Sequence, residues 1–338
     1  MNHFHYNEPF KTELGATLQG LTIAYNVYGT LNKEGTNVVW VCHALTSNSD
    51  VIEWWPGIAG NDCIIDPKKH FIVCANILGS CYGSTGPLSA DSATGQPYFS
   101  DFPVITIRDM VQAHILLREH LNIQKIYLLI GGSMGGYQAL EWAVIEKDLI
   151  QNLFLLCTSA TESAWGIAIH TAQRLAIEAD STWKDKDPNA GSKGLKAARA
   201  IGLLSYRNYE LMVEKQTDPD VEKTDNFKAS SYINYQGEKL MNRFNAYSYW
   251  LLTKSMDSHH LARSRNKTKE QVLRSILQKT LIVAITSDIL CPFAEQKFIA
   301  DHLINSTLVE IDSSYGHDGF LMEVEKISHH FKKWIDEE

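Results

Sequence analysis

The chain has 338 residues, enough for one large α/β domain with an insertion or for two domains of ordinary size. Apolar and charged fractions of 44% and 21% are those of a water-soluble globular protein, and a net charge of -8 argues against binding nucleic acid or an anionic membrane. A phosphate-bearing ligand would need a local basic patch. Six cysteines (Cys42, Cys63, Cys74, Cys81, Cys157, Cys291) form no Cys-x-x-Cys pair, and Cys42, Cys74 and Cys157 fall inside strand-like apolar runs. They read as reduced thiols. The first ten residues lack a basic segment followed by an apolar one, and no apolar run has bilayer-spanning length, which predicts a cytoplasmic protein with no membrane partner.

Residues 14–29 alternate apolar and polar side chains around Gly20 and read as an edge hairpin. Residues 37–42 and 70–76 are short, nearly continuous, β-branched runs, the pattern of strands covered on both faces in a parallel sheet. Residues 107–120 have helical spacing. They precede a strand over 125–130 and a helix over 135–145, and further strands follow at 152–157, 279–285 and 307–311, with a last amphipathic helix over 319–334. Alternating strands and helices predict a mostly parallel, doubly wound sheet. Between residues 158 and 278 the strand signal gives way to helical periodicity. Ser159-x-x-Glu162 reads as a capping box opening a helix through Ala179, with further helices over 193–204 and 240–256 and polar loops at 183–188 and 216–225. The predicted layout is a core from residues 1–157 and 279–338 with a helical lid inserted over 158–278.

The strand over 125–130 runs into Gly131-Gly132-Ser133-Met134-Gly135-Gly136, a Gly-x-Ser-x-Gly nucleophile elbow. A serine hydroxyl reacts only when a sharp turn exposes it beside a base, and flanking glycines permit that turn. A phosphate-cradling loop is the alternative, but the Walker lysine is missing. Such sheets place an acid and then a histidine on loops after later strands. Asp288 follows the strand at 279–285 and His317 the strand at 307–311. Asp312 and Asp318 are rival acids, yet each lies too close to His317 in sequence to occupy a separate strand-end loop. The loop His43-Ala44-Leu45-Thr46 follows an early strand, where one oxyanion-hole amide belongs, so Leu45 N–H and Met134 N–H are the expected donors and His43 a structural histidine. No histidine sits in a metal-binding pattern, and no catalytic metal is expected.

Several stretches together resemble the homoserine O-acetyltransferases, which carry the α/β-hydrolase fold: residues 42–46, 76–87, 102–110, 131–136, 235–239 and 316–318. The similarity runs over residues 37–321. It implies a cytoplasmic enzyme of methionine biosynthesis that moves an acetyl group from acetyl-CoA, a co-substrate rather than a bound cofactor, to homoserine through an acyl-Ser133. It also implies that Arg207 and Asp318 hold the carboxylate and ammonium of the acceptor, and that the enzyme is a homodimer through its lid, with Tyr232, Tyr235, Tyr247, Tyr249 and Trp250 available as contacts. Succinyl-CoA as donor, serine as acceptor, a serine esterase, and a non-catalytic receptor on the same scaffold are the competing readings.

Overall fold

The computed structural model describes residues 1–336. Its eight strands are β1 (Asn2–Lys11), β2 (Thr17–Tyr28), β3 (Val38–Cys42), β4 (Phe71–Ala75), β5 (Ile126–Gly132), β6 (Ile150–Leu156), β7 (Lys279–Ile285) and β8 (Ser306–Ile311). They form one sheet in the order β1-β2-β4-β3-β5-β6-β7-β8. From β4 to β8 every pairing is parallel, while β1 and β2 add an antiparallel edge.

The helices are α1 (Val51–Trp54), α2 (Ile107–His120), α3 (Met134–Ile145), α4 (Ala164–Glu178), α5 (Ser192–Tyr206), α6 (Tyr209–Gln216), α7 (Lys228–Met241), α8 (Ala246–Asp257), α9 (Lys269–Leu273), α10 (Phe293–His302), α11 (Gly319–Met322) and α12 (Val324–Asp336). Side-chain alternation along the strands explains the layering. Val38, Trp40 and Cys42 pack with residues of α2 and α3 on one face, whereas Val39 and Val41 pack with Trp55, Phe320 and the α12 residues Phe331 and Trp334 on the other. Central strands are therefore buried on both sides. Among the described residues no helix is long and apolar enough to cross a membrane, and all six cysteines are free.

Four local expectations are corrected. The edge hairpin is made by β1 and β2 and turns at residues 12–16; Gly20 lies within β2 at a register irregularity, where φ is +93° and a Cβ would sit 2.8 Å from Tyr6 O. Ser159 and Glu162 form no capping box: the cap of α4 is Ser163, accepting from Gly166 N, while Ser159 and Glu162 turn to the Tyr137 hydroxyl. The helix expected over 240–256 is α7 and α8, separated at Asn245, which caps α8 by accepting from Ser248 N. The helix expected over 319–334 is α11 and α12, broken at Glu323, where ψ is 46°.

Helices α4 to α8 enter the chain between the neighbouring strands β6 and β7. The two crossings meet in a narrow neck, where Glu162 N donates to His259 O and Leu261 N to Ala160 O. Beyond it, Val272, Leu273 and Ile276 join the core beneath the sheet.

Candidate active site

Ser133 stands between β5 and α3 with φ 55° and ψ -127°, a strained conformation for a residue with a Cβ. The glycines around it are steric necessities. A Cβ on Gly131 would lie 2.1 Å from Gly135 O, and one on Gly135 would lie 2.1 Å from Cys42 O, so elbow and β3 approach backbone to backbone.

The loops after β7 and β8 bring two groups to this turn. Ser133 Oγ donates to His317 Nε2 at 2.8 Å, and His317 Nδ1 donates to Asp288 Oδ2 at 2.7 Å. Asp288 is held in turn by Leu290 N and Cys291 N, which donate to its Oδ1 at 2.8 and 2.9 Å. All three side chains are buried. Burial alone would lower the pKa of His317, but the Asp288 charge and hydrogen bond, with Asp318 and Glu162 nearby, outweigh it and raise the value above that of a free histidine. Asp312 lies outside this chain of bonds, accepting instead from the Thr286 hydroxyl.

Ser133 opens into a cavity of about 360 Å³. Ala44 and Leu45 line one wall, and Met134 is the first residue of α3, where an N–H has no acceptor within its own helix. His43 proves to be a backbone clamp. Its Nε2 accepts from Ile77 N at 3.2 Å, so Nδ1 carries the proton and donates to Ala44 O at 2.8 Å. Holding that carbonyl fixes the direction of Leu45 N–H, which belongs to the same planar peptide. Burial pushes the His43 pKa down to about 4, against a smaller opposing effect of the bond to Ala44, so the ring is neutral at neutral pH.

Asp318, next to His317, lines the cavity, and its Oδ2 lies 2.9 Å from Arg207 Nη1. Arg207 ends α5, donates through Nε to the Tyr232 hydroxyl at 3.2 Å, and borders a separate pocket with Leu211, Met212 and Lys215. The two residues expected to hold opposite ends of a zwitterion thus hold each other. Of the aromatic residues expected at a dimer contact, Tyr247 and Tyr249 are core, while Tyr235 is exposed.

Three further cavity residues have no local sequence signature. Tyr206 lies 6.0 Å from the His317 ring between centroids, Arg199 sits over the Tyr206 ring, and Arg243 reaches Thr46 O. Only the seven-residue spacing of Arg199 and Tyr206, which shares one face of a helix, hints at the first two. Among the described residues no three His, Cys, Asp or Glu side chains are grouped to hold a metal ion.

A parallel sheet with a serine at a strained strand-to-helix turn and a hydrogen-bonded Ser-His-Asp chain defines an α/β hydrolase-type fold, and the family described as alpha/beta hydrolase fold matches residues 37–324. A homoserine O-acetyltransferase from Cyclobacterium marinum is 46% identical over 98% of this chain and 94% of its own. Among solved structures, a homoserine O-acetyltransferase from Bacillus anthracis superposes with a TM-score of 0.91 at 22% identity, over 100% of this chain and 97% of that one. Esterase E22 superposes with a TM-score of 0.88 at 22% identity, over 99% of both chains, so the fold itself does not separate transfer from hydrolysis. The chain belongs to the homoserine O-acetyltransferase family, a family of acyltransferases.

Proposed function

We propose that this enzyme transfers the acetyl group of acetyl-CoA to the side-chain hydroxyl of L-homoserine, a step of methionine biosynthesis, through an acyl-Ser133. The observation that carries the reading is the Ser133-His317-Asp288 chain opening into a cavity lined by Asp318, which pairs with Arg207 behind it. His317 Nε2 takes the Ser133 proton as Oγ attacks the thioester carbon, and Asp288 stabilises the imidazolium. Leu45 and Met134 N–H groups receive the oxyanion. The carbon–sulfur bond breaks, and the departing thiolate takes the proton from His317. In the second half, His317 removes the proton of the homoserine hydroxyl, which attacks the ester and releases Ser133 with that proton returned. Arg207 faces the acceptor carboxylate and Asp318 its ammonium, each charge taking a new partner from the zwitterion.

In this reading the inserted helices shield the acyl-serine from water until the acceptor arrives. The reading includes a homodimer through the lid, supported by the exposed apolar residues Leu204, Tyr209, Val213 and Tyr235 on α5 to α7. The deciding experiment incubates the enzyme with acetyl-CoA or succinyl-CoA, with homoserine, with serine and with no acceptor. Acetyl-CoA with homoserine gives O-acetylhomoserine and the fastest CoA release, and Ser133→Ala forms no acyl-enzyme by mass spectrometry. Equal CoA release without acceptor and no O-acetylhomoserine would make the protein a hydrolase.

A further inference from the structure

Each expected oxyanion donor is one half of a peptide unit whose other half is a carbonyl, and in a trans peptide the two point in opposite directions. A donor whose carbonyl is held is therefore aimed. His43 does this for Leu45 through Ala44 O. The Met134 amide shares its peptide with Ser133 O, and a second side chain holds that carbonyl: Thr158 Oγ1 donates to Ser133 O at 2.9 Å.

Thr158 is fully buried and lies just after β6, not on the elbow's own strand. β6 ends at Leu156, whose carbonyl accepts from Ser133 N at 2.9 Å. Cys157 then takes a left-handed φ of 46°, and Thr158 lands against the first turn of α3. There it fills the space a side chain at residue 136 would need, since a Cβ on Gly136 would lie 2.3 Å from Thr158 Oγ1. Gly136 falls outside the Gly-x-Ser-x-Gly pattern, and this contact accounts for it. Gln296, also fully buried, donates through Nε2 to Thr158 O at 2.6 Å, so the threonine is itself fixed. Ser133 O accepts as well from Gly136 N at 2.9 Å and Tyr137 N at 3.4 Å, as the first carbonyl of a helix does. Those two donors move with α3, whereas Thr158 ties the carbonyl to the sheet. The Ser133 hydroxyl, turned to His317, caps nothing.

We propose that Thr158 is a positioning residue for acyl transfer: by holding Ser133 O it aims the Met134 N–H at the oxyanion, as His43 aims the Leu45 N–H. This rests on the acyl-Ser133 reading above. The elbow needs the constraint, because a serine backbone does not rest at φ 55° on its own, and relaxation of that peptide swings the Met134 N–H away from the reacting carbon. Thr158 carries no charge and touches no reacting atom, so its loss slows the reaction without altering the proton balance of His317.

The test compares wild type with Thr158→Val, which keeps the branched shape and removes the hydroxyl, and Thr158→Ser, which keeps the hydroxyl. Acylation of Ser133 by acetyl-CoA and by p-nitrophenyl acetate is followed by rapid-quench mass spectrometry. Inhibition by a trifluoromethyl ketone, which Ser133 converts to a tetrahedral oxyanion, is measured beside the half-saturating concentration of acetyl-CoA. Thr158→Val is expected to lower the maximal acylation rate with both reagents, and to weaken ketone inhibition, by about tenfold, the worth of one buried hydrogen bond. The half-saturating concentration and the pH profile stay at their wild-type values. Thr158→Ser should recover most of both losses. A lowered melting temperature with wild-type acylation and ketone inhibition in the folded Thr158→Val enzyme makes Thr158 merely structural and overturns the proposal. So does a loss in Thr158→Ser as large as that in Thr158→Val. If Thr158→Val does not fold, Thr158→Ala, which removes the hydroxyl and relieves the crowding at Gly136, is judged by the same measurements. If p-nitrophenyl acetate acylates Ser133 and acetyl-CoA does not, the acyl-CoA reading fails while the ester and ketone data still decide this one. If neither reagent acylates wild type, both fall.

Discussion

His43 shows how a residue outside the reacting chain sets a reacting group. Its two nitrogens tie Ile77 N to Ala44 O and thereby hold the Leu45 amide in place. His43→Ala should slow acyl-enzyme formation by about 10²-fold, the scale of a lost oxyanion donor, while the triad distances remain. Rapid-quench measurement of acyl-Ser133 checks this. For the triad, a raised His317 pKa puts the acid limb of the rate profile above the usual histidine value, because the base works only when unprotonated. Asp288→Asn should cut kcat/KM by about 10⁴-fold and move the remaining acid limb to lower pH, since the charge that holds the proton on His317 is gone. A pH–rate profile of both proteins gives the answer. Ser133, Asp288 and His317 can be picked out of the sequence because each follows a strand whose apolar run is unmistakable. Arg199 cannot. Its neighbours in sequence are ordinary helix residues, and its isolation from any counter-charge exists only in three dimensions.

Elements were readable in proportion to how far local pattern and tertiary demand agree. The central strands are buried on both faces, so their composition announces them. β1 is an edge strand with polar residues such as His3, His5, Asn7 and Glu8, mostly exposed, and only its pairing with β2 makes it a strand. Ser159 and Glu162 have capping-box spacing, yet the buried Tyr137 hydroxyl claims both side chains. After the neck, Arg263 and Arg265 pin the chain to the sheet domain through Glu13 and Glu141. Glu141 also accepts from Arg108 Nε at 2.6 Å. Burial opposes its ionisation, but the Arg265 and Arg108 guanidinium groups overcome this and keep its carboxyl below the usual glutamate value. Its contribution to stability is therefore present above the unfolded value of about 4.3 and is lost as pH falls through the lower folded value. Glu141→Gln should destabilise the fold by about 3 kcal/mol at pH 7 and flatten the acid side of the stability profile. Chemical denaturation between pH 3 and 7 measures both effects.

At the scale of the whole molecule, the inserted helices α4 to α8 and the sheet share one core. Leu195, Ala198, Leu240 and Leu252 from the lid belong to the same cluster of buried residues as Trp40, Leu129 and Leu140. They should therefore unfold together: calorimetry is expected to show a single transition, and Leu240→Ala should lower it as a whole, at a cost of about 2–5 kcal/mol, without splitting off an early-melting lid. Two separate transitions would show that the shared core does not couple them. The neck at Ala160–Glu162 and His259–Leu261 is one tie between the inserted helices and the rest of the chain, and the Arg207-Asp318 ion pair is a second. A zwitterionic acceptor that takes both charges replaces the direct Arg207-Asp318 contact with a bridge through itself. Under the proposed acceptor role of this pair, acceptor occupancy and the position of the inserted helices would be linked quantities, and whatever free energy those helices give up to admit the acceptor, bound acceptor would return by holding them.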